Sequence, residues 1–144
     1  KFFGNISPEQ AQTIATEVRK AVSGTAALSL RGRSLGVFPD LRRPRVIWLG
    51  LEGDVEPLGA LQKRIETGLE SCGFAREERP FRAHLTLGRI KDGRGLVGLE
   101  QALKGPRLQE TGDFVVDKLT LFRSELTPKG AIYTGLATFP FAGG

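Results

Sequence analysis

Methionine is absent from this sequence of 144 residues, and cysteine and histidine occur once each, as Cys72 and His84. A single cysteine excludes an internal disulfide, and one cysteine with one histidine cannot build a structural zinc site. We therefore expect a reducing compartment, no bound metal and no cofactor. The sequence also lacks an apolar run long enough to span a membrane, and it shows no charged-then-apolar leader.

The absence of methionine bears on where the sequence starts, because translation begins with that residue. We therefore expect further sequence upstream of Lys1. The opening stretch "KFFGN" is typical of the end of a strand that such an upstream segment would begin.

Positive charge is in excess, with 21 Lys and Arg against 16 Asp and Glu, a net charge of +5 and a pI of about 9.8. Such a surface attracts polyanions, which makes nucleic acid or a phosphate ester a partner to test. A basic cluster is formed by Arg31, Arg33, Arg42, Arg43 and Arg45. Two interpretations of it stay open, contact with an RNA backbone and a solvated loop.

Hydrophobic periodicity predicts a strand remnant, a helix, two strands and a helix, followed by a strand, a short helix and two strands. The first helix begins at "SPEQ", where Ser7 is the expected N-cap and Gln10 completes a capping box. The repeated order predicts an α+β, bilobal, pseudo-symmetric fold: two antiparallel sheets with helices on their outer faces and a central cleft. We expect one domain over residues 1–144, with lobes of roughly 1–72 and 73–144 that can exchange strands.

The stretch "FRAHLTLGRI", residues 81–90, contains the only histidine. Alternation along a strand places His84 and Thr86 on one face and Phe81, Leu85 and Leu87 on the other, where they would pack against helices. An imidazole and a hydroxyl side by side suit a phosphoryl group, since one moves a proton near neutral pH and the other donates to a charged oxygen. Taken alone, however, a strand histidine is more often a surface or hydrogen-bonded residue, and Thr is simply a good strand former.

Three stretches of the sequence together favour the functional interpretation of His84 and Thr86 over the plainer one. Residues 73–89, "GFAREERPFRAHLTLGR", resemble the segment that carries the second H-x-T-x signature of the 2H phosphoesterase superfamily, in its RNA 2',3'-cyclic phosphodiesterase branch, also called the 2'-5' RNA ligase family. The signature itself corresponds to His84, Leu85, Thr86 and Leu87. The opening "KFFGNIS" resembles the stretch directly after that family's first signature, and "LFRSELTPKGAIYTGL", residues 121–136, resembles its closing hairpin.

Two positions depart from the family pattern, because Ala83 stands where Pro is common and Gly88 where Ala is usual. Neither change removes a reactive group. The first signature lies outside the sequence: the alignment places its histidine four residues before Lys1.

The resemblance implies a metal-independent hydrolase, an RNA 2',3'-cyclic 3'-phosphodiesterase that converts a terminal 2',3'-cyclic phosphate to a 2'-phosphate, with 2'-5' ligation as the reverse reaction. It also implies that His84 is the proton acceptor, that Thr86 hydrogen-bonds a non-bridging oxygen, and that the upstream histidine is the acid. Symmetric acid–base chemistry agrees with two histidines, because water loses a proton on one side of phosphorus while the leaving oxygen gains one on the other.

Arg89, Phe81 and Tyr133 are further candidates for substrate binding, each with a plainer interpretation. Arg89 would neutralise phosphate or be a solvated strand-end residue; strand parity puts it on the apolar side unless the strand bends at Gly88. Phe81 would stack on a base or pack in the core. Tyr133 would line a cleft or be structural.

Two alternatives to this function stay open. One is a non-catalytic RNA-binding module of the same fold, and the other is a phosphodiesterase of small cyclic nucleotides or 2'-5' oligonucleotides. For the leading function we expect a monomer in the cytoplasm whose partner is an RNA or nucleotide with a 2',3'-cyclic phosphate end.

Overall fold

The computed structural model describes residues 1–91, 98–105 and 110–142. Three helices and six strands follow one another in these residues: α1 Pro8–Val22, β1 Leu28–Phe38, β2 Val46–Gly53, α2 Val55–Ser71, β3 His84–Arg89, α3 Leu99–Lys104, β4 Glu110–Val116, β5 Lys118–Thr127 and β6 Gly130–Pro140. The predicted α+β class with two antiparallel sheets is confirmed. None of the helices in these three ranges is long and apolar enough to cross a membrane.

The chain divides into two compact units, each assembled from separate segments. The first contains residues 1–27, 59–81 and 116–144, and the second contains residues 28–58 and 82–115. Each unit takes chain from both sides of residue 72. The expected lobes and their exchange of strands stay a prediction.

The first unit is built around α1 and the β5–β6 hairpin. Ser7 caps α1 as predicted: its hydroxyl accepts from the Gln10 backbone N–H, and the Gln10 side chain accepts from the Ser7 N–H. Helical spacing then turns one apolar stripe of α1 inward, and α1 packs on β6, where Phe139 is buried. Arg19 lies over the Phe139 ring, 5.7 Å from its centroid, and covers this packing from outside.

The second unit is a four-stranded sheet in the order β3-β2-β1-β4, so that β3 is an edge strand. Leu30 and Leu49, which register places on the same face of β1 and β2, are buried there. Two register shifts interrupt the ladders, one between Gly32 and Leu35 of β1 and one where β3 opposes Ile47 and Trp48 of β2. Each is a β-bulge that changes which side chains share a face.

One part of the predicted strand pattern needs correction here. The sequence pattern predicts one continuous strand over "DFVVDKLTLFRS", but the structure divides this stretch between β4 and β5 at Asp117. The short helix, expected around Leu96, Leu99 and Leu103, is α3; Leu96 lies outside the described residues.

The predicted strand remnant at the start is wrong, since residues 1–4 have no strand structure. Gly4 has a φ of 72°, in the left-handed region, which breaks an extended backbone. Side chains hold the segment instead: Phe3 packs edge-on against Phe74 at 5.6 Å, and Lys1 Nζ donates to Glu66 Oε2 at 2.7 Å.

Glu66 joins three segments of the first unit. Only 7% of this residue is exposed, and its carboxylate accepts from Lys1 and from the backbone N–H of Glu77, at 3.0 Å. Burial would raise the pKa of this carboxyl, but the hydrogen bonds from Lys1 and Glu77 outweigh it and hold the pKa below its usual value of 4.5. Folding therefore stabilises the ionised carboxylate of Glu66 relative to its protonated form.

We expect Glu66→Gln to lower the free energy of unfolding by about 1–3 kcal/mol at pH 7, because buried donors lose a charged partner. Since the folded-state pKa is depressed, the contribution of Glu66 is present above pH 4.5 and is lost as the pH falls below it. Urea unfolding from pH 7 to pH 3 should therefore show a smaller pH dependence for the variant.

The matched control is Glu70→Gln, one turn later on α2, where the carboxylate meets Arg76 at 2.8 Å with both side chains about half exposed. An exposed pair contributes little, so this change should stay within about 0.5 kcal/mol of the parent. Equal effects of the two substitutions would contradict the role of Glu66.

Candidate active site

His84 is the first residue of β3, and its imidazole is exposed. Its Nδ1 lies 2.6 Å from the carbonyl oxygen of Arg82. A carbonyl oxygen only accepts, so Nδ1 carries the hydrogen in this contact, and in the neutral ring the lone pair is left on Nε2. The backbone thereby assigns Nε2 as the atom able to take up a proton.

Thr86 shares its face of the sheet with His84. The ladder pairs His84 with Gly50 and Thr86 with Trp48, and residues two apart on a strand project to the same side. The two positions are roughly 6 to 7 Å apart along the backbone, from the rise of two strand residues. An exposed hydroxyl therefore stands beside the imidazole, as the alternation in the sequence predicts.

Arg89 joins the same face through the bulge in β3. Thr86 pairs with Trp48, but Gly88 pairs with Ile47, so Leu87 is the extra residue. After it, Arg89 pairs with Val46, which lies on the Trp48 side of β2. Simple alternation put Arg89 on the apolar side; the register shift places it on the face of His84 and Thr86.

Two aromatic rings surround the imidazole, and the sequence reasoning missed both. Phe38 and Trp48 are stacked at 5.2 Å between centroids, and Phe38 meets the His84 ring edge-on at 5.3 Å, with Trp48 at 6.4 Å. These contacts limit how the imidazole can rotate. Period-two alternation in "VIWLG" puts Trp48 on one face of its strand. The pairing of that strand with β3, which brings Trp48 next to Thr86, is not visible in the sequence.

Glycine makes room for the tryptophan. A Cβ at Gly36, the β1 residue opposite Trp48, would overlap the indole ring, and one at Gly50 would lie 3.3 Å from Trp48 Cζ3. The ring thus lies across the backbone of β1. Its Nε1 is buried and has no hydrogen-bond partner among the described residues, so packing sets its position.

Phe81 and Tyr133 belong to the first unit, whereas His84, Thr86 and Arg89 belong to the second. Phe81 precedes β3, so strand parity does not apply to it; its ring lies near Gly59 of α2 and is 45% exposed. Tyr133 lies opposite Ser124 in the hairpin, edge-on to Phe122 at 6.5 Å, and is exposed.

The predicted apolar face of β3 is only partly right. Leu85 and Leu87 were expected to pack against helices, but 45% and 56% of their surfaces are exposed. The reason is positional, because β3 is the edge of its sheet and Leu87 lies in the bulge. In the part of the chain that the structure describes, no group of three or more His, Cys, Asp or Glu side chains could hold a metal ion.

Comparison with known proteins shows which family this chain is similar to. Residues 2–128 match the model of the 2'-5' RNA ligase superfamily. A protein of Methanothermobacter thermautotrophicus named RNA 2',3'-cyclic phosphodiesterase is 37% identical over 139 residues, 96% of this chain and 74% of that protein. One of the same name from Aeropyrum pernix is 35% identical over 136 residues, 94% of this chain and 76% of that protein.

A solved structure agrees with these sequence matches. The crystal structure of TT0787 from Thermus thermophilus superposes with a TM-score of 0.72 at 27% identity, over 99% of this chain and 75% of that one. The similarity therefore extends across nearly all of the present sequence in fold as well as in residues.

Because Trp48 is the only tryptophan, its fluorescence tests the packing beside His84. We expect Gly36→Ala to displace the indole, shift its emission to longer wavelength and lower the free energy of unfolding by about 1–3 kcal/mol, as overpacking does. Gly112→Ala on β4 is the control, since nothing lies within 4 Å of its added Cβ. An unchanged emission spectrum for Gly36→Ala would contradict the placement of the ring.

Proposed function

The chain belongs to the 2'-5' RNA ligase superfamily, and we propose that it hydrolyses the 2',3'-cyclic phosphate at an RNA end to a 2'-phosphate. The observation that carries the proposal is the contact between His84 Nδ1 and the Arg82 carbonyl, which leaves Nε2 as a base beside the Thr86 hydroxyl. The names of the relatives supply the substrate class.

In the proposed reaction, His84 Nε2 accepts a proton from water as the water oxygen bonds to phosphorus. The bond between phosphorus and the 3' oxygen breaks, and the phosphate stays on the 2' oxygen. Thr86 donates to a non-bridging oxygen, where charge builds up in the transition state. Each role needs an exposed group on the same face, and the two residues meet that need.

The leaving 3' oxygen needs a proton from a second group, because one imidazole cannot act on both sides of phosphorus. This sequence contains no second histidine. We propose that the acid is the histidine of the first H-x-T-x signature, which the resemblance puts four residues before Lys1. In the ligating direction the two histidines would exchange roles.

Arg89 is proposed to neutralise the phosphate. Register supports this role because Arg89 shares the face of His84, and no ion pair of Arg89 occurs among the described residues.

Phe81 and Tyr133 stay proposals for substrate contact, as do a monomeric state and a cytoplasmic location. The chemistry is proposed to need no metal, so EDTA should leave the rate unchanged.

The central test uses the full-length gene product and an oligonucleotide that ends in a 2',3'-cyclic phosphate. We expect His84→Gln to reduce kcat by about 10²- to 10⁴-fold, the usual contribution of a positioned base. Chromatographic detection of the 2'-phosphate product measures it. A His84→Gln enzyme with unreduced kcat, or a parent that binds the RNA without cleaving it, would refute the mechanism; the second result would favour the RNA-binding module.

Thr86 allows a matched pair of variants. Thr86→Val keeps the shape but removes the donor, so we expect kcat to fall by about 10²-fold. Thr86→Ser keeps the hydroxyl and should stay within about tenfold of the parent by the same reasoning. Equal losses in the two variants would contradict the role of the hydroxyl, because Thr86→Ser retains it.

Arg89→Gln tests whether Arg89, which the bulge in β3 turns to the face of His84, contacts phosphate. We expect a drop in kcat/KM of about tenfold or more, because a charge-assisted contact to phosphate is lost. Arg76→Gln is the control, since that exposed arginine is paired with Glu70 in the first unit. If the two changes had the same small effect, Arg89 would be a solvated strand end.

A further inference from the structure

The loop that joins β1 to β2, residues 39–45, is held in a defined turn by its own aspartate. Oδ1 of Asp40 accepts from the backbone N–H of Arg42 at 2.8 Å and from that of Arg43 at 3.1 Å. A side-chain oxygen that binds the main chain two and three residues later is typical of an Asx-turn. The turn fixes the backbone that carries two consecutive arginine side chains.

This loop adjoins the strand that carries the candidate site. The Arg45 N–H donates to the Phe38 carbonyl at 2.7 Å, and the Arg45 carbonyl accepts from the Ile90 N–H at 2.9 Å. Ile90 directly follows Arg89, which register places on the face of His84. The line of candidate residues along β3 therefore leads towards the loop.

The loop lies within reach of a chain that is bound at His84. Along β2, His84 pairs with Gly50 and Arg89 pairs with Val46, the residue that directly follows the loop. Four strand residues separate these two rows, about 13 Å along the backbone. The loop, His84 and Arg89 all belong to the second unit. An RNA that ends at His84 and lies along β3 would therefore bring its next phosphodiester groups to the loop.

The two arginines of the turn carry positive charge without a carboxylate partner. Both residues are exposed, and neither Arg42 nor Arg43 forms an ion pair in the part of the chain that the structure describes. Asp40 is the only acidic residue of the loop, and its Oδ1 is bound by main-chain N–H groups. Two adjacent guanidinium groups of this kind attract a polyanion, and their planar N–H donors suit phosphate oxygens.

Towards the other end of the β1–β2 pair, arginines are matched with acidic residues. Arg31 Nε lies 3.2 Å from Asp113 Oδ1, and Arg33 Nη1 lies 3.3 Å from Glu52 Oε2. Carboxylates repel an RNA backbone, so electrostatic complementarity favours a path towards the loop. Of the five arginines in the basic cluster, the two in the turn are thus the best suited to contact RNA.

We propose that Arg42 and Arg43 bind phosphodiester groups of the RNA on the 5' side of its terminal nucleotide. The proposal rests on the proposed function, because it takes the cyclic phosphate to lie at His84. It assigns the loop a role in RNA binding and none in proton transfer. A nucleoside 2',3'-cyclic phosphate has no phosphodiester beyond its cyclic end, so the loop favours oligonucleotides over this smaller substrate.

The kinetic test compares an oligonucleotide that ends in a 2',3'-cyclic phosphate with a nucleoside 2',3'-cyclic phosphate, using the full-length protein. We expect the double variant Arg42→Gln, Arg43→Gln to lower kcat/KM for the oligonucleotide about tenfold at low salt, by raising KM, and to leave kcat unchanged. Its kcat/KM for the nucleoside substrate should equal that of the parent. Because both side chains are exposed and form no ion pair, the substitutions should leave the fold intact.

A binding measurement tests the same contacts without turnover. Fluorescence anisotropy follows a labelled oligonucleotide that ends in a 2'-phosphate, the proposed product. For single strands, the logarithm of the binding constant falls with the logarithm of salt concentration by about 0.7 for each phosphate contacted, so the double variant should reduce this slope by about 1.4. Replacing both arginines by lysine should keep the slope, since lysine retains the charge.

The matched control is the double variant Lys63→Gln, Arg76→Gln, which removes two positive charges from exposed residues of the first unit. It should change neither the rates nor the slope. An equal loss in this control, a loss on the nucleoside substrate, or an unchanged slope for the Arg42 and Arg43 variant would overturn the assignment and leave the proposed function intact. Failure of the parent protein to cleave either substrate would refute the proposed function and this inference with it.

Discussion

The ladder between β2 and β3 is the constraint on which the candidate site depends. Backbone pairing fixes His84 opposite Gly50 and Thr86 opposite Trp48, and it thereby decides which side chains share a surface. The pattern of buried side chains specifies register strongly when one side of a sheet is buried, as it is at Leu30 and Leu49. The polar chemistry on one side of the sheet is therefore held in place by apolar packing on the other.

A second backbone contact sets the chemistry of the imidazole itself. The Arg82 carbonyl has no proton to give, so it selects one tautomer without a carboxylate partner. Neighbouring rings of Phe38 and Trp48 restrict the imidazole from the side. The proposed base is thus oriented by a main-chain oxygen and two aromatic edges, all from residues of one unit.

Local patterns in the sequence predicted a good part of this arrangement. The Ser7 cap follows from the capping-box spacing of Ser7 and Gln10, and the α1 stripe and the shared face of His84 and Thr86 follow from periodicities of 3.6 and 2. All three signals lie within a few residues of one another along the chain. The facing of Arg89 did not follow, because a bulge is decided by pairing with a distant strand. Phe38 and Trp48 were missed for the same reason, since contacts between strands are invisible until the register is known.

At the start of the sequence, a local pattern predicted a strand that the structure does not contain. The residues of "KFFGN" suit a strand by composition, yet Gly4 turns the backbone and the Lys1 side chain is held by Glu66, 65 positions away. Strand propensity describes how well a residue fits a pleated, half-buried surface, and here the segment is anchored through side chains and not through a ladder.

The bulge between Gly32 and Leu35 also determines which changes in length β1 can tolerate. It returns Leu35 to the buried side after two consecutive residues have faced outward. Because Arg33 and Ser34 together oppose Gly50, deleting one of them would leave a regular ladder that still pairs Leu35 with Leu49, whereas a deletion in a regular part of β1 would transfer the side chains beyond it to the opposite face. The loss of one residue is therefore tolerated at the bulge and not in the regular parts of β1.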